Sequence, residues 1–338
     1  MKKRAILSAL FSGKPVHLIL QVTNRCNLRC KTCFVNLNND DKTEITLDDI
    51  GGISRYLGGL IWLSIGGGEP FLRMDLVDIC AKFNAGLIAI STNGFDPGLI
   101  YVTAKKIRER VDAELVIAVS IDGFEKTNDE IRAAGCFNKS IETIKLLKTV
   151  KGIKIKVNTV LCKRNYSKII DFMKFVKGLD VDFHSIILLR GVPFDPAYEG
   201  CSYTELQSIK ADLFAMWDRY GYGLKCIAPK ILHSYHKVMY ETSMRIMKEK
   251  RQIPGCLAWR RHLAVFPTGD VGFCEMLKPF GNLGKSTIRE LLNSEEANNQ
   301  RKLIKNKGCY CHHNCNLIDN FLLNPMEYPK LLKGAWRK

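Results

Sequence analysis

Acidic side chains are scarce. Asp and Glu number 34 against 51 Lys and Arg, a formal net charge of +17 with a pI near 9.3. That imbalance implies an anionic partner: nucleic acid, a phosphorylated substrate or an acidic membrane surface. Long apolar runs are missing too. None reaches the roughly 18–20 residues that a membrane span requires. The opening "MKKRAILSALFSGKP" is basic and then apolar, like a secretion signal. No small-residue cleavage site follows it, and the next segment reads as a core strand. The expected location is therefore cytoplasmic, with peripheral contact at the inner membrane face. There is no internal repeat and no low-complexity segment. Hydrophobic residues make up 46% of the chain, enough for a substantial core.

Cysteine is plentiful, with thirteen in the chain. In a reducing compartment that number is not a disulfide framework. Three lie together in "TNRCNLRCKTCF", at Cys26, Cys30 and Cys33. Five lie late, at Cys256, Cys274, Cys309, Cys311 and Cys315. The remainder (Cys80, Cys136, Cys162, Cys201 and Cys226) are scattered and read as small buried hydrophobes.

Between residues 16 and 190 short apolar strands alternate with amphipathic helices. "HLILQV", "LIWLSI", "GLIAIS", "ELVIAVS", "IKIKVNTVL" and "DFHSIILLR" are the expected strands. A helix is expected to start at Thr46, with Asp48 and Asp49 in its first turn. Nearly continuous apolar strands with helices between them predict a parallel sheet covered on both faces. In such folds the chemistry collects at the C-terminal ends of the strands. Here those ends carry the cysteine loop, "GGGEP", "STNG", "VSIDG", "VNTVL" and "LLRG". Helices are expected over 204–220 and 229–252, then a hairpin turning at "PTGD". The expected organisation is a basic segment at 1–15, the alternating unit at 16–190, a helical connection at 191–252, a small Cys-rich domain at 253–318 and a basic tail at 319–338.

Three thiols are one short of a structural zinc site. They suit three corners of a cubic iron–sulfur cluster, whose fourth iron stays open to a small chelating molecule. "CNLRCKTC" resembles the cluster loop of the radical S-adenosylmethionine (SAM) superfamily, and "GGGEP" after the second strand resembles that family's glycine turn. The resemblance covers the chain to about residue 190. It implies a partial (β/α)6 barrel, a 4Fe–4S cluster held by Cys26, Cys30 and Cys33, and SAM on the open iron. By the same resemblance Gly67, Gly68 and Glu69 hold the SAM amino group, and Ser120, Asp122 and Asn158 meet its ribose or methionine part. Arg132 lies near its carboxylate, with Arg190 a further candidate on the rim. The family often has an aromatic residue before the third cysteine; this chain has Thr32 there and Phe34 just after. The implied chemistry is one-electron cleavage of SAM to a 5′-deoxyadenosyl radical, which removes a hydrogen atom from the substrate. A reductant such as flavodoxin or ferredoxin is implied with it.

The late cysteines resemble the SPASM/twitch extension of many such enzymes, in which a Gly-x4-Cys hairpin helps to hold an auxiliary cluster. The hairpin here would be Gly269 to Cys274. Five thiols suit one auxiliary 4Fe–4S cluster, with Cys256, Cys274, Cys315 and either Cys309 or Cys311 as ligands. Zinc is the rival, since "CYCHHNC" offers both Cys and His. The substrate is expected to be a small, lipid-linked or phosphorylated anion. Apolar residues among Lys2, Lys3 and Arg4, and Leu331, Leu332 and Trp336 in the tail, suit an anionic membrane. Maturation of a ribosomally made peptide is the alternative, lowered because the cluster loop begins at Cys26 and leaves no room for a leading peptide-recognition domain. A non-catalytic, metal-stabilised nucleic-acid-binding protein is the third reading. Nucleic acid ranks lower because no RNA-binding appendage is recognisable.

Overall fold

The computed structural model describes residues 12–35, 44–219 and 228–336. Its centre is one sheet of nine strands in the order β6-β5-β4-β3-β2-β1-β7-β8-β9. The strands are β1 (His17–Thr23), β2 (Gly59–Gly67), β3 (Asn84–Thr92), β4 (Glu114–Ser120), β5 (Ile153–Leu161), β6 (Phe183–Leu188), β7 (His262–Val265), β8 (Asp270–Gly272) and β9 (Gly281–Asn282). From β1 to β6 every neighbouring pair is parallel. This is the expected partial (β/α)6 barrel.

The sequence explains the helices that cover it. Thr46 caps Leu47–Leu57 in a capping box with Asp49. Pro97 opens the helix Pro97–Arg110 behind an Asp96 cap. The segment after "GGGEP" is a short 3-10 turn, Pro70–Leu72, and a separate helix, Leu76–Ala81. A short helix at Glu125–Ile131 precedes a longer one, Cys136–Lys148.

Residues on alternate positions of each strand face opposite ways. Leu18, Leu20 and Val22 of β1, Leu115, Ile117 and Val119 of β4, and Ile155 and Val157 of β5 belong to the main core under the helices. The intervening residues line the inside of the barrel: His17, Ile19, Gln21 and Thr23; Val116, Ala118 and Ser120; Lys156, Asn158 and Val160. The inner face mixes polar and apolar residues.

The C-terminal hairpin departs from the expected separate unit. β7 and β8 pair antiparallel, as "PTGD" predicts, but β7 also pairs parallel to β1. The cysteine-rich segment thus continues the barrel sheet at its open edge. Leu331 is buried against Met239, Ile246, Leu317 and Phe321, so it is not available to a membrane, while Leu332 is 48% exposed. The basic start at 1–11, Cys226, Arg337 and the Trp336 side chain lie outside the described residues. No helix among the described residues is long and apolar enough to cross a membrane.

Candidate active site and cluster loops

Cys26, Cys30 and Cys33 lie half-buried and unpaired on the loop after β1. Backbone bonds pin that loop to the rim: Lys31 N to Ile131 O at 2.8 Å, Asp195 N to Lys31 O at 3.0 Å and Phe194 N to Cys33 O at 2.7 Å. N–H donors approach two of the sulfurs. Asn93 Nδ2 lies 3.9 Å from Cys26 Sγ, and Arg132 Nη1 lies 3.9 Å from Cys30 Sγ. Burial pushes all three thiols up, Cys30 to about 12. Thiols so reluctant to ionise gain much from a cationic iron centre. Among the described residues no three of the cysteine sulfurs lie within 4.8 Å of one another. One zinc with bonds near 2.3 Å needs sulfurs roughly 3.8 Å apart. No such trio of sulfurs is preformed among the described residues.

The glycine turn is pressed onto this loop. Gly68 N donates to Thr23 O at 2.7 Å and Glu69 N to Arg25 O at 2.9 Å. A Cβ on Gly68 would stand 2.2 Å from Arg25 O, and one on Gly67 2.4 Å from Thr23 O. Gly67 also has φ near +122°, where side chains are strained. Glu69 is buried and accepts from Thr92 Oγ1 at 2.9 Å, Phe71 N at 3.2 Å and Asn93 N at 2.7 Å. Burial nevertheless raises its carboxyl to about 7.

Ser120 and Asn158 stand side by side in register at the ends of β4 and β5. The Asn158 Oδ1 is buried without a partner, an acceptor in want of a donor. Asp122 is fully buried; Arg132 Nη2 lies 2.8 Å from its Oδ2, and Val160 N donates to its Oδ1 at 2.8 Å. Thr32 is buried, and the Phe34 ring lies 4.4 Å under the Arg190 guanidinium. Arg190 Nη2 also reaches to 3.7 Å from Glu275 Oε2.

Burial raises the Cys256 thiol, and the nearby Cys311, Cys274 and Cys309 push it in the same direction. Asn316 Nδ2 bridges two of them, 3.3 Å from Cys274 Sγ and 3.6 Å from Cys311 Sγ. Cys315 stands with Glu275 and His313 instead, their ligand atoms within 4.8 Å of one another. Burial raises its thiol to about 11, and its charged neighbours are Arg190, Glu275, Asp319 and Lys156. Cys315 thus faces the barrel interior. His312 contacts Leu189 O at 3.0 Å, and His313 Nε2 lies 3.2 Å from Glu275 Oε2.

Several residues escaped the sequence reading. Asn93 was signalled by "STNG" at a strand end. Lys156 was signalled by a charge at an inward position of "IKIKVNTVL". Glu275, which accepts from Gln21 Nε2 at 2.8 Å, had no signal beyond its place after Cys274.

A parallel half-barrel with three spread thiols on its first loop and a glycine turn closed over them defines a class. It is a barrel that presents an iron–sulfur cluster to a small ligand. The chain matches the radical SAM superfamily over residues 20–176 and an iron–sulfur cluster-binding domain, SPASM, over residues 256–316. It is 32% identical over 191 residues to the pre-heme d1 synthase of Dinoroseobacter shibae, covering 53% of this chain and 45% of that one. It is 28% identical over 164 residues to the mycofactocin maturase MftC of Mycobacterium tuberculosis, covering 47% and 41%. The chain thus spans about half the length of these curated relatives. The fold is similar to Streptococcus suis SuiB bound to S-adenosylmethionine, with a TM-score of 0.65 at 17% identity over 87% of this chain and 68% of that one.

The chain belongs to the radical SAM superfamily and carries a SPASM iron–sulfur domain. Its cofactors are those of that family: a 4Fe–4S cluster with SAM, and auxiliary iron–sulfur binding in the C-terminal domain.

Proposed function

We propose that this enzyme uses SAM to abstract hydrogen from an anionic substrate held inside the barrel, with one auxiliary 4Fe–4S cluster beside it. When bound, the reduced cluster and SAM supply a 5′-deoxyadenosyl radical. The residues present fit that group. Cys26, Cys30 and Cys33 would hold the cluster, with N–H donors from Asn93 and Arg132 favouring their thiolates. The glycine turn and Glu69 would take the SAM amino group, and Ser120 and Asn158 its ribose. Cys256, Cys274, Cys309 and Cys311 would hold the auxiliary cluster. Flavodoxin or ferredoxin would deliver the electron.

The observation that carries the substrate reading is Lys156. It stands inside the barrel, and burial lowers its pKa. Among the described residues only Cys315 pulls the other way; no carboxylate does. Lys156 is half-buried, and a cation withdrawn from water without an acidic partner is costly unless a ligand supplies the anion. A phosphate or carboxylate of the substrate meets that need, and the net charge of +17 suits its approach. Lys156 and Glu275 then flank the substrate, one anchoring it and the other placed to take a proton.

A peptide is the second reading. A solved structure of SuiB is bound to its precursor peptide SuiA, and the MftC relative is named a maturase. An acidic side chain or C-terminus would meet Lys156 equally well. One experiment addresses both. Reconstituted protein is given SAM, dithionite and an extract of the producing cells split by anion exchange, and 5′-deoxyadenosine is measured. The retained fraction should stimulate its formation, and Lys156→Met should lose the stimulation while keeping slow uncoupled cleavage. Loss of stimulation on phosphatase treatment supports a phosphorylated metabolite; loss on protease treatment supports a peptide. Stimulation by the unretained fraction alone would exclude an anionic substrate.

A further inference from the structure

Away from both cluster loops, three polar side chains meet at the floor of the barrel. His17 opens β1 and His262 opens β7, and the two are register partners. Asp319 reaches them from the helix Asn314–Leu322, which carries Cys315. Their exposures are 2%, 0% and 0%. His17 Nδ1 lies 3.1 Å from Asp319 Oδ2 and 2.8 Å from His262 Nε2. His262 Nε2 also contacts the same Asp319 Oδ2.

Protons cannot satisfy this triangle. If both rings donate to Oδ2, two N–H groups face each other across 2.8 Å. If one ring donates to both partners, the lone pair of the other ring faces the carboxylate. One of the three contacts is repulsive in either arrangement. Asp319 Oδ1 and His262 Nδ1 meanwhile have no partner. A buried polar group in that state calls for an explanation such as an ion.

A cation at the centre makes all three contacts favourable, because each atom then offers it a lone pair. Bonds of about 2.0–2.2 Å at tetrahedral angles place donor atoms roughly 3.3 Å apart; the His17–Asp319 spacing of 3.1 Å is close to that, and the two contacts of His262 Nε2 are shorter and would open as the ion enters. The other nitrogen of His17, Nε2, is 2.9 Å from Ser64 Oγ. Metal-bound imidazoles carry just such an outer hydrogen bond, which leaves the inner nitrogen bare.

We propose that His17, His262 and Asp319 bind one divalent transition-metal ion, of the zinc class, as a structural site, with the unpartnered Asp319 Oδ1 joining Oδ2 as the fourth donor atom. Two nitrogens and one carboxylate oxygen suit zinc, and also ferrous iron and cobalt. The site lies at the N-terminal ends of its strands, the face of such barrels that serves stability. Its ligands come from far-apart stretches of the chain. The ion would therefore fasten the helix that carries Cys315 to β1 and β7, and hold the C-terminal segment in register with the barrel.

The test uses the full chain, reconstituted anaerobically and desalted after incubation with a small excess of zinc. Metals are counted by mass spectrometry, and the zinc edge is read by X-ray absorption. The expected result is about one zinc per chain in a shell of nitrogen and oxygen near 2.0–2.1 Å, without sulfur at 2.3 Å. His262→Gln and, separately, His17→Gln should lose that zinc, keep the cluster iron and melt at a lower temperature. In the wild-type chain a zinc chelator should lower the melting temperature without bleaching the clusters. A high-spin ferrous Mössbauer signal outside the clusters, absent from His262→Gln, would equally support the site. A wild-type chain that binds no ion beyond cluster iron, or binds zinc only through sulfur, would overturn it, as would full zinc retention in both variants.

Discussion

Arg132 joins the SAM side of the barrel to its buried interior: one nitrogen lies 2.8 Å from Asp122 Oδ2 and another 3.9 Å from Cys30 Sγ. Asp122 is fully buried and Arg132 nearly so. One guanidinium thus neutralises a carboxylate and offers an N–H to a cluster thiol.

Removing one member of such a pair strands the other. Arg132→Met should cost roughly 3–5 kcal/mol, because Asp122 is left buried and uncompensated. Asp122→Asn combined with Arg132→Met should recover part of that loss. Chemical unfolding of the two variants beside the wild type checks it. A single variant as stable as the wild type would show that the pair does not matter to the fold.

Glu69 predicts a pH dependence. Its carboxyl is raised from the ordinary 4.5 to about 7 by burial. The folded chain therefore holds this proton more tightly than the unfolded one. The stabilisation it brings is complete below about pH 4.5 and is lost as pH rises through 7. SAM binding runs the other way, since only the ionised carboxylate can accept from the SAM amino group. Affinity should fall about tenfold between pH 8 and pH 6, following the ionised fraction across a pKa near 7. Calorimetry at the two pH values measures it, and Glu69→Gln should flatten the difference. An equal slope in that variant would assign the effect elsewhere.

The auxiliary thiols separate by iron content. The reconstituted wild type should hold about eight irons, in two cubic clusters. Cys256→Ala or Cys311→Ala should reduce this to about four and leave uncoupled SAM cleavage in place. Cys315→Ala should keep about eight and lose substrate turnover, because its thiol faces Lys156 and Glu275 within the barrel. If Cys315→Ala instead falls to about four irons, Cys315 is a ligand, as the resemblance to the SPASM/twitch extension implies.

The sequence by itself determined the parts whose physics is local. Nearly continuous apolar strands with capped helices between them announce a parallel barrel, because burial on both faces leaves its mark within each short strand. The cysteine loop and the glycine turn were legible for the same reason: Cys26, Cys30 and Cys33 sit on one short loop, and Gly67 and Gly68 mark a close approach that a side chain would block. The polar residues of the inner face were half legible, since Lys156 breaks an apolar strand but nothing in "IKIKVNTVL" says what it will face. Tertiary structure alone decided what distant stretches share. The pairing of β7 with β1 brings His262 to His17, and the helix after Cys315 delivers Asp319 to both. It also gathers Cys309 and Cys311 to Cys256 and turns Cys315 toward Glu275. Spacing along the chain constrains ligands on one loop, where a few bonds limit the reach. It says nothing of residues as far apart as His17 and His262, whose meeting depends on which sheet edge the hairpin joins.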